Sequence, residues 1–148
     1  MEIYTDILIE ATPQSVWNIL INFSRYPHWN PFLTEVLGEA VEGAGIEIEV
    51  SPPGLKKMRF KPCITSVEPC RQLTWVGKFA IPYVFDGEHS FVIEPVSDRA
   101  VRFIQKETYT GLVVPFYAKS LNQNTREGFH QMNQALKDAA EQVAYSTV

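Results

Sequence analysis

The chain has little of what most catalytic and metal-binding signatures need. It carries only two cysteines and three histidines, and no run of lysine or arginine. Cys63 and Cys70 form no CxxC pair and read as reduced thiols, so neither a disulfide framework nor a zinc ribbon is expected. His28, His89 and His130 fall in three separate segments, with no HxH or HExxH spacing. No metal and no cofactor are therefore expected. There is no GxSxG elbow, and Cys63 has no base in its own segment, which argues against a serine or cysteine nucleophile. A net charge of −4 without a basic cluster disfavours a nucleic-acid partner, because phosphate backbones are bound by concentrated positive charge. No apolar run is long enough for a membrane span, and Met1-Glu2-Ile3-Tyr4 lacks the basic start of a signal peptide. A cytoplasmic protein is the expectation that follows.

What is present is a chain of ordinary globular composition. Its 148 residues suit one domain, 1–148, able to build a core without disulfides or metal. Nine Phe, six Tyr and three Trp supply enough rings to fill a core or to line a pocket.

Apolar periodicity gives the order of elements. Glu2 to Glu10 reads as a strand. Thr12-Pro13 reads as a helix start, with Thr12 as N-cap and Pro13 in the first turn, and the helix runs to about Phe23. Ser24 to Pro27 punctuates it, and His28 to Phe32 follows as a turn or one-turn helix. The chain then alternates at period two. Strands are expected over Phe32–Ala40, around Ile46, Ile48 and Val50, from Met58 to Val67, and over Gln72–Phe79, Asp86–Glu94 and Ala100–Thr110. From about Pro115 to Val143 the apolar residues recur at helical spacing, including Leu121, Thr125, Phe129, Met132 and Leu136. That describes a helix of about 27 residues, or roughly 40 Å. This order predicts an α+β fold: about seven strands in one curved antiparallel sheet around a long C-terminal helix, with two short helices after the first strand. Such a sheet, bent over a helix, encloses more space than side chains fill, and that space is the candidate pocket.

Several segments in this order carry a resemblance. They are Ile9-x-Ala11-x-Pro13-x-x-Val16-Trp17-x-x-Leu20; Phe23-x-x-Tyr26-Pro27-x-Trp29-Asn30-Pro31-Phe32; Leu73-Thr74-Trp75-x-Gly77; Gly87-x-His89-x-Phe91-x-Ile93-x-Pro95; and Phe103-x-Gln105-x-Glu107-x-x-x-Gly111-Leu112. Over essentially its whole length the sequence resembles the START-like, polyketide cyclase/dehydrase-type helix-grip superfamily (SRPBCC). The resemblance implies a helix-grip fold. It leaves function open, since the superfamily includes lipid carriers, hormone receptors, aromatase/cyclases and coenzyme-Q-binding proteins.

The last hairpin holds the polar candidates. If Val96 opposes Ala100, then Ile93 faces Phe103, Phe91 faces Gln105, His89 faces Glu107 and Gly87 faces Tyr109, with facing Cβ atoms about 5 Å apart. The apolar members mark this parity as inward, placing His89, Gln105, Glu107 and Tyr109 on the concave wall. His89 and Glu107 are then candidates for a general acid/base pair, with the carboxylate orienting the imidazole. The expected ligand-binding wall comprises Trp75, Phe79 and Tyr83, then Phe91, Phe103, Gln105 and Tyr109. Asn122, Arg126, Phe129 and Met132 complete it from the helix. Arg59, flanked by Lys57 and Lys61 at the same parity, is expected to face outward. Three functions compete. The first is binding or carriage of a small hydrophobic, lipid-like or aromatic molecule. The second is a cyclase/aromatase-type enzyme using His89 and Glu107. The third is a protein-interaction module. The apolar stretches around Ile81 and Val113 leave self-association into a homodimer open.

Overall fold

The computed structural model describes residues 1–78, 86–111 and 114–146. Strand β1 (Glu2–Ile9) turns Ile3, Thr5 and Ile9 inward. Helix α1 (Pro13–Ile21) starts as its sequence requires: Thr12 Oγ1 accepts the Ser15 amide hydrogen at 3.1 Å, and Pro13 opens the first turn. Val16, Trp17 and Leu20 form its buried face. A 3-10 turn over Phe23–His28 follows, pinned by the Tyr26 hydroxyl, which donates to the Leu20 carbonyl.

Eight strands among the described residues form two antiparallel sheets. The smaller sheet has the order β2 (Leu33–Leu37), β3 (Glu47–Val50), β4 (Met58–Phe60). The larger places β1 beside β8 (Ala100–Thr110), followed by β7 (Asp86–Ser97), β6 (Gln72–Lys78) and β5 (Cys63–Glu68). The alternation of the sequence suggested a single sheet and one strand from Met58 to Val67. That strand instead divides at Lys61-Pro62. Proline supplies no amide to a ladder, so pairing with β3 stops there and pairing with β6 begins after it. The two sheets stay joined at the break. Gly45 bridges Cys63, the Ile46 amide donates to the Pro62 carbonyl at 3.0 Å, and the Ile64 amide to the Ala44 carbonyl at 2.9 Å. The result is one strongly curved wall. On its outer side, Arg59 pairs with Glu35 and Glu49, as its flanking lysines indicated. The Thr34 hydroxyl, with Lys57 and Arg59 beside it, holds the Glu49 carboxyl below its usual range.

Helix α2 (Val114–Ser146) spans 33 residues and buries Phe129, Met132, Leu136 and Ala140, one stripe at spacings of three and four. Its polar side chains also close the open edge of β1. Arg126 Nη1 donates to the Tyr4 carbonyl at 2.8 Å, Lys137 Nζ to the Leu8 carbonyl at 3.0 Å, and Glu141 Oε2 accepts the Glu10 amide at 2.9 Å. A free strand edge is thereby denied to other chains. No described helix is long and apolar enough to cross a membrane.

At Gly128, helix α2 packs directly against Phe32 in the chain entering β2. A Cβ built there would lie 2.3 Å and 2.4 Å from Cδ1 and Cε1 of Phe32. Alanine favours a helix over glycine by up to about 1 kcal/mol. Gly128→Ala is nevertheless expected to destabilise the fold in a urea melt, by about 1–3 kcal/mol of overpacking. Adding Phe32→Leu should recover part of that loss. A second prediction concerns Tyr26, whose complete burial raises its hydroxyl far above the ordinary phenol range. Above about pH 10 the unfolded chain gives up this proton while the folded chain keeps it. Stability should therefore fall with rising pH, by about 1.4 kcal/mol per pH unit for each such tyrosine. In an absorbance titration Tyr26 should ionise only as the fold is lost.

Candidate functional site

The register of the large sheet builds the site row by row. His89 pairs with Glu107 across β7 and β8, Trp75 pairs with His89 across β6 and β7, and Ile64 and Ile3 complete the row on β5 and β1. The next row toward the core joins Leu73, Phe91, Gln105 and Thr5. The row on the other side joins Gly77, Gly87 and Tyr109. The hairpin register expected from the sequence holds along this length. Near the turn a bulge lets Ser97, not Val96, oppose Ala100.

These rows explain where the fold is hollow. The Leu73–Phe91–Gln105 row and the one beyond it are filled by buried side chains. The row of Gly77 and Gly87 presents no side chain on two neighbouring strands, and a cavity of about 320 Å³ lies over it. Pockets for small molecules start near this size, at roughly 300–1,000 Å³. Trp75, His89, Glu107 and Tyr109 form the sheet-side wall, and Thr125 and Phe129 of α2 close one flank. The opposite wall comes from the small sheet and its connections, with Leu33, Ile48, Val50, Met58 and Phe60. Among the described residues the lining is overwhelmingly apolar, and the polar groups gather at one place.

That place is the His89–Glu107 pair. Nδ1 of His89 lies 2.8 Å from Oε2 of Glu107, with 6% and 11% of the two side chains exposed. The contact is close but does not follow the line of the ring N–H bond, so it is a charge contact more than an aligned hydrogen bond. The other ring nitrogen, Nε2, lies 3.0 Å from Oε1 of Gln105. Gln105 Nε2 reaches Oδ1 of Asn133 at 2.7 Å and the Phe129 carbonyl at 3.4 Å, and Asn133 Nδ2 donates to Thr5 Oγ1 at 3.0 Å. A buried polar chain therefore runs from Glu107 through the core to β1. Both nitrogens of His89 face partners within it, Nε2 through a hydrogen bond and Nδ1 through the close contact with Glu107. Tyr109 stands beside the pair. Burial raises its hydroxyl above the ordinary range and the Glu107 charge adds to this, while a hydrogen bond with Thr125 pulls the other way. The phenol stays protonated at neutral pH.

The expected wall residues fall into four groups. His89, Glu107, Trp75, Tyr109 and Phe129 line the cavity together. Phe91, Phe103, Gln105 and Met132 are buried behind it; Phe91 stacks on the His89 ring at 4.3 Å, and Gln105 reaches the site only through His89. Asn122 and Arg126 lie elsewhere, with Arg126 Nε on Asn122 Oδ1 at 2.9 Å and its guanidinium on the edge of β1. The cavity-facing pair of α2 is Thr125 and Phe129, one helical turn apart, and positions 122 and 126 point away from it. Phe79 and Tyr83 lie outside the described residues. Not anticipated were the contributions of the small sheet and the Gly77–Gly87 gap. The alternation of Ile46, Ile48 and Val50 marked an inward face without showing what it faced. Extending the hairpin register to β6 would have paired the two glycines. No cluster of three His, Cys, Asp or Glu side chains suited to a metal occurs among the described residues.

Similarity to known proteins agrees with this architecture. The Zhui aromatase/cyclase from Streptomyces sp. R1128 superposes with a TM-score of 0.78 at 13% identity, over 95% of this chain and 93% of that one. A START superfamily protein from Mycobacterium smegmatis gives 0.75 at 16% identity, over 96% and 98%. Norcoclaurine synthase from Thalictrum flavum, in complex with dopamine and hydroxybenzaldehyde, gives 0.71 at 12% identity, over 96% and 87%. At these identities the likeness is one of fold. No curated protein matches the chain in sequence. Residues 1–141 match the family described as polyketide cyclase / dehydrase and lipid transport, and the chain belongs to that family.

Proposed function

We propose that this protein binds a small, largely apolar molecule of aromatic size in the cavity between its two sheets and α2. The observation that carries this reading is a 320 Å³ apolar cavity with polar groups at a single wall. Burial of apolar ligand surface there supplies affinity at about 25 cal/mol per Å², and the group near Glu107 and Tyr109 supplies orientation. Trp75 and Phe129 offer ring edges and faces to a flat ligand. Carriage of a lipid-like or aromatic compound in solution, without chemistry, is the simplest use of such a site.

A second reading is favoured by one specific observation, the 2.8 Å approach of His89 to Glu107 in the cavity wall. A carboxylate beside an imidazole, in a site largely shielded from water, is suited to moving a proton on a bound carbonyl compound. This is the reading toward which the aromatase/cyclase and norcoclaurine synthase folds point. In it Glu107 is the group that meets the substrate, since both His89 nitrogens are engaged.

Gly77→Val separates an occupied cavity from an idle one. Among the described residues a Cβ at Gly77 meets only Pro62 Cβ, at 3.8 Å, so the backbone tolerates a side chain that fills the void. Native mass spectrometry of wild type should show a co-purifying apolar compound near one-to-one. Gly77→Val should lose it while melting within a few degrees of wild type. An empty wild-type protein that also fails to take up apolar fluorescent probes would refute ligand binding. For the second reading, Glu107→Gln should keep a bound compound but recover it in unreacted form, chemically different from the one held by wild type. The pair also carries a stability signature. His89→Ala alone leaves a buried carboxylate unpaired and should cost about 3–5 kcal/mol. Replacing both residues, as His89→Leu with Glu107→Met, should cost much less in the same denaturant melt.

A further inference from the structure

The structure assigns a protonation state to the wall of the cavity: Gln105 is a positioning residue that holds His89 as an imidazolium facing an ionised Glu107. The assignment starts from the one group in the buried chain whose polarity is fixed. The Phe129 main-chain carbonyl can only accept. The side-chain nitrogen of Gln105 lies 3.4 Å from it and 2.7 Å from Asn133 Oδ1. Turning the Gln105 amide over would set two oxygens against each other at the Phe129 carbonyl. With the nitrogen there, Gln105 Oε1 is the atom 3.0 Å from His89 Nε2, and it can only accept, so Nε2 carries a hydrogen. Asn133 closes the chain consistently, its oxygen turned to Gln105 and its nitrogen donating to Thr5 Oγ1.

Nδ1 is then the remaining question. Left without a hydrogen, Nδ1 would set a second electron-rich atom 2.8 Å from a buried carboxylate oxygen, and because the approach lies off the axis of the ring lone pair, a proton on Glu107 could not be shared with it as a hydrogen bond. A hydrogen on Nδ1 converts that contact into attraction between opposite charges. The surroundings favour a cation on the ring. Phe91 stacks on it at 4.3 Å and 28°, with Phe129 at 4.9 Å and Trp75 at 5.5 Å. The faces of aromatic rings attract positive charge. Among the described residues, the groups that face His89 are Trp75 from β6, Phe91 from β7, Gln105 and Glu107 from β8 and Phe129 from α2. Tyr109 is the neighbouring ionisable group of the wall, and it stays neutral.

Two consequences reach the ligand. His89 has no free nitrogen to offer, which leaves Glu107 Oε1 as the carboxylate atom available in the wall. The pair has no net charge, so the cavity selects an uncharged ligand over a carboxylate or an ammonium. This selectivity rests on the ligand-binding reading above, whereas the protonation state does not.

Nitrogen-15 spectra of the histidine rings at neutral pH test the assignment, with His89 identified by the signal missing in His89→Gln. Wild-type His89 should show hydrogens on both ring nitrogens. A neutral ring of either tautomer would overturn the assignment. In Gln105→Met the acceptor at Nε2 is gone, and the ring should become neutral with its hydrogen on Nδ1, facing Glu107. A folded Gln105→Met protein with an unchanged ring spectrum would remove Gln105 from the positioning role, and the wild-type spectrum decides the protonation state if that variant does not fold. Fluorescence titration with 2-naphthol and 2-naphthoate reads the selectivity. At least tenfold tighter binding of the neutral compound is expected. Equal affinity, or preference for the anion, would overturn the selectivity, and failure of both to bind would count against the ligand-binding reading while leaving the ring spectrum to stand.

Discussion

A carboxylate cannot sit alone in an apolar wall, and much of the interior of this protein is arranged around that constraint. Removing Glu107 from water costs several kcal/mol unless charge and hydrogen bonds are returned to it. His89 returns charge from the neighbouring strand at 2.8 Å. The imidazole then needs a partner of its own, which is Gln105. Gln105 needs Asn133 and the Phe129 carbonyl, and Asn133 needs Thr5. The chain ends on β1, the edge strand of the large sheet. Polar groups that look isolated in a core of Phe, Leu and Ile are links in one connected path. Such a path ties the phase of α2 to the register of β1, β7 and β8, because a slip in any of them would strand a buried polar atom.

The cavity has a different origin. It is a shortage of side-chain volume at one place. Gly77 and Gly87 lie opposite each other on adjacent strands, and the small sheet, turned over by the break at Pro62, arches across them without filling the gap. Two rows deeper, Leu73 and Phe91 restore a filled core. The polar pair lies on the row between the two regimes. It is thus supported from behind by close packing and by hydrogen bonds, while its front meets open space. That placement gives a rigid polar wall to a site whose other surfaces are apolar and adaptable.

Much of the fold was legible in the sequence, for identifiable reasons. Period-two alternation, the Thr12-Pro13 start and the long stripe ending near Val143 each reflect local chemistry that acts before tertiary contacts form. The pairing of His89 with Glu107 was also readable, because a hairpin with a short turn leaves few registers open. Less legible was the division of Met58–Val67 into two strands. Proline there announces a break in pairing, but not that the chain changes sheets. The helix face was misassigned by one step for a similar reason. Asn122 and Arg126 share a face, yet only the packed structure shows that this face meets the edge of β1 while Thr125 and Phe129 meet the cavity.

Taken alone, the sequence determined most of the element types, their order, the inward face of the last hairpin and the family to which the chain belongs. These depend on backbone propensity and on the periodicity of apolar residues, which are properties of segments. The tertiary structure decided the rest. It set the small sheet over the glycine gap, joined the Gln105 behind His89 to α2 and β1 through Asn133 and Thr5, and turned Arg126 away to cap β1. Each of these joins residues far apart along the chain. Whether a buried polar atom is satisfied, or a void left open, depends on what arrives from elsewhere, and no local pattern of residues records it.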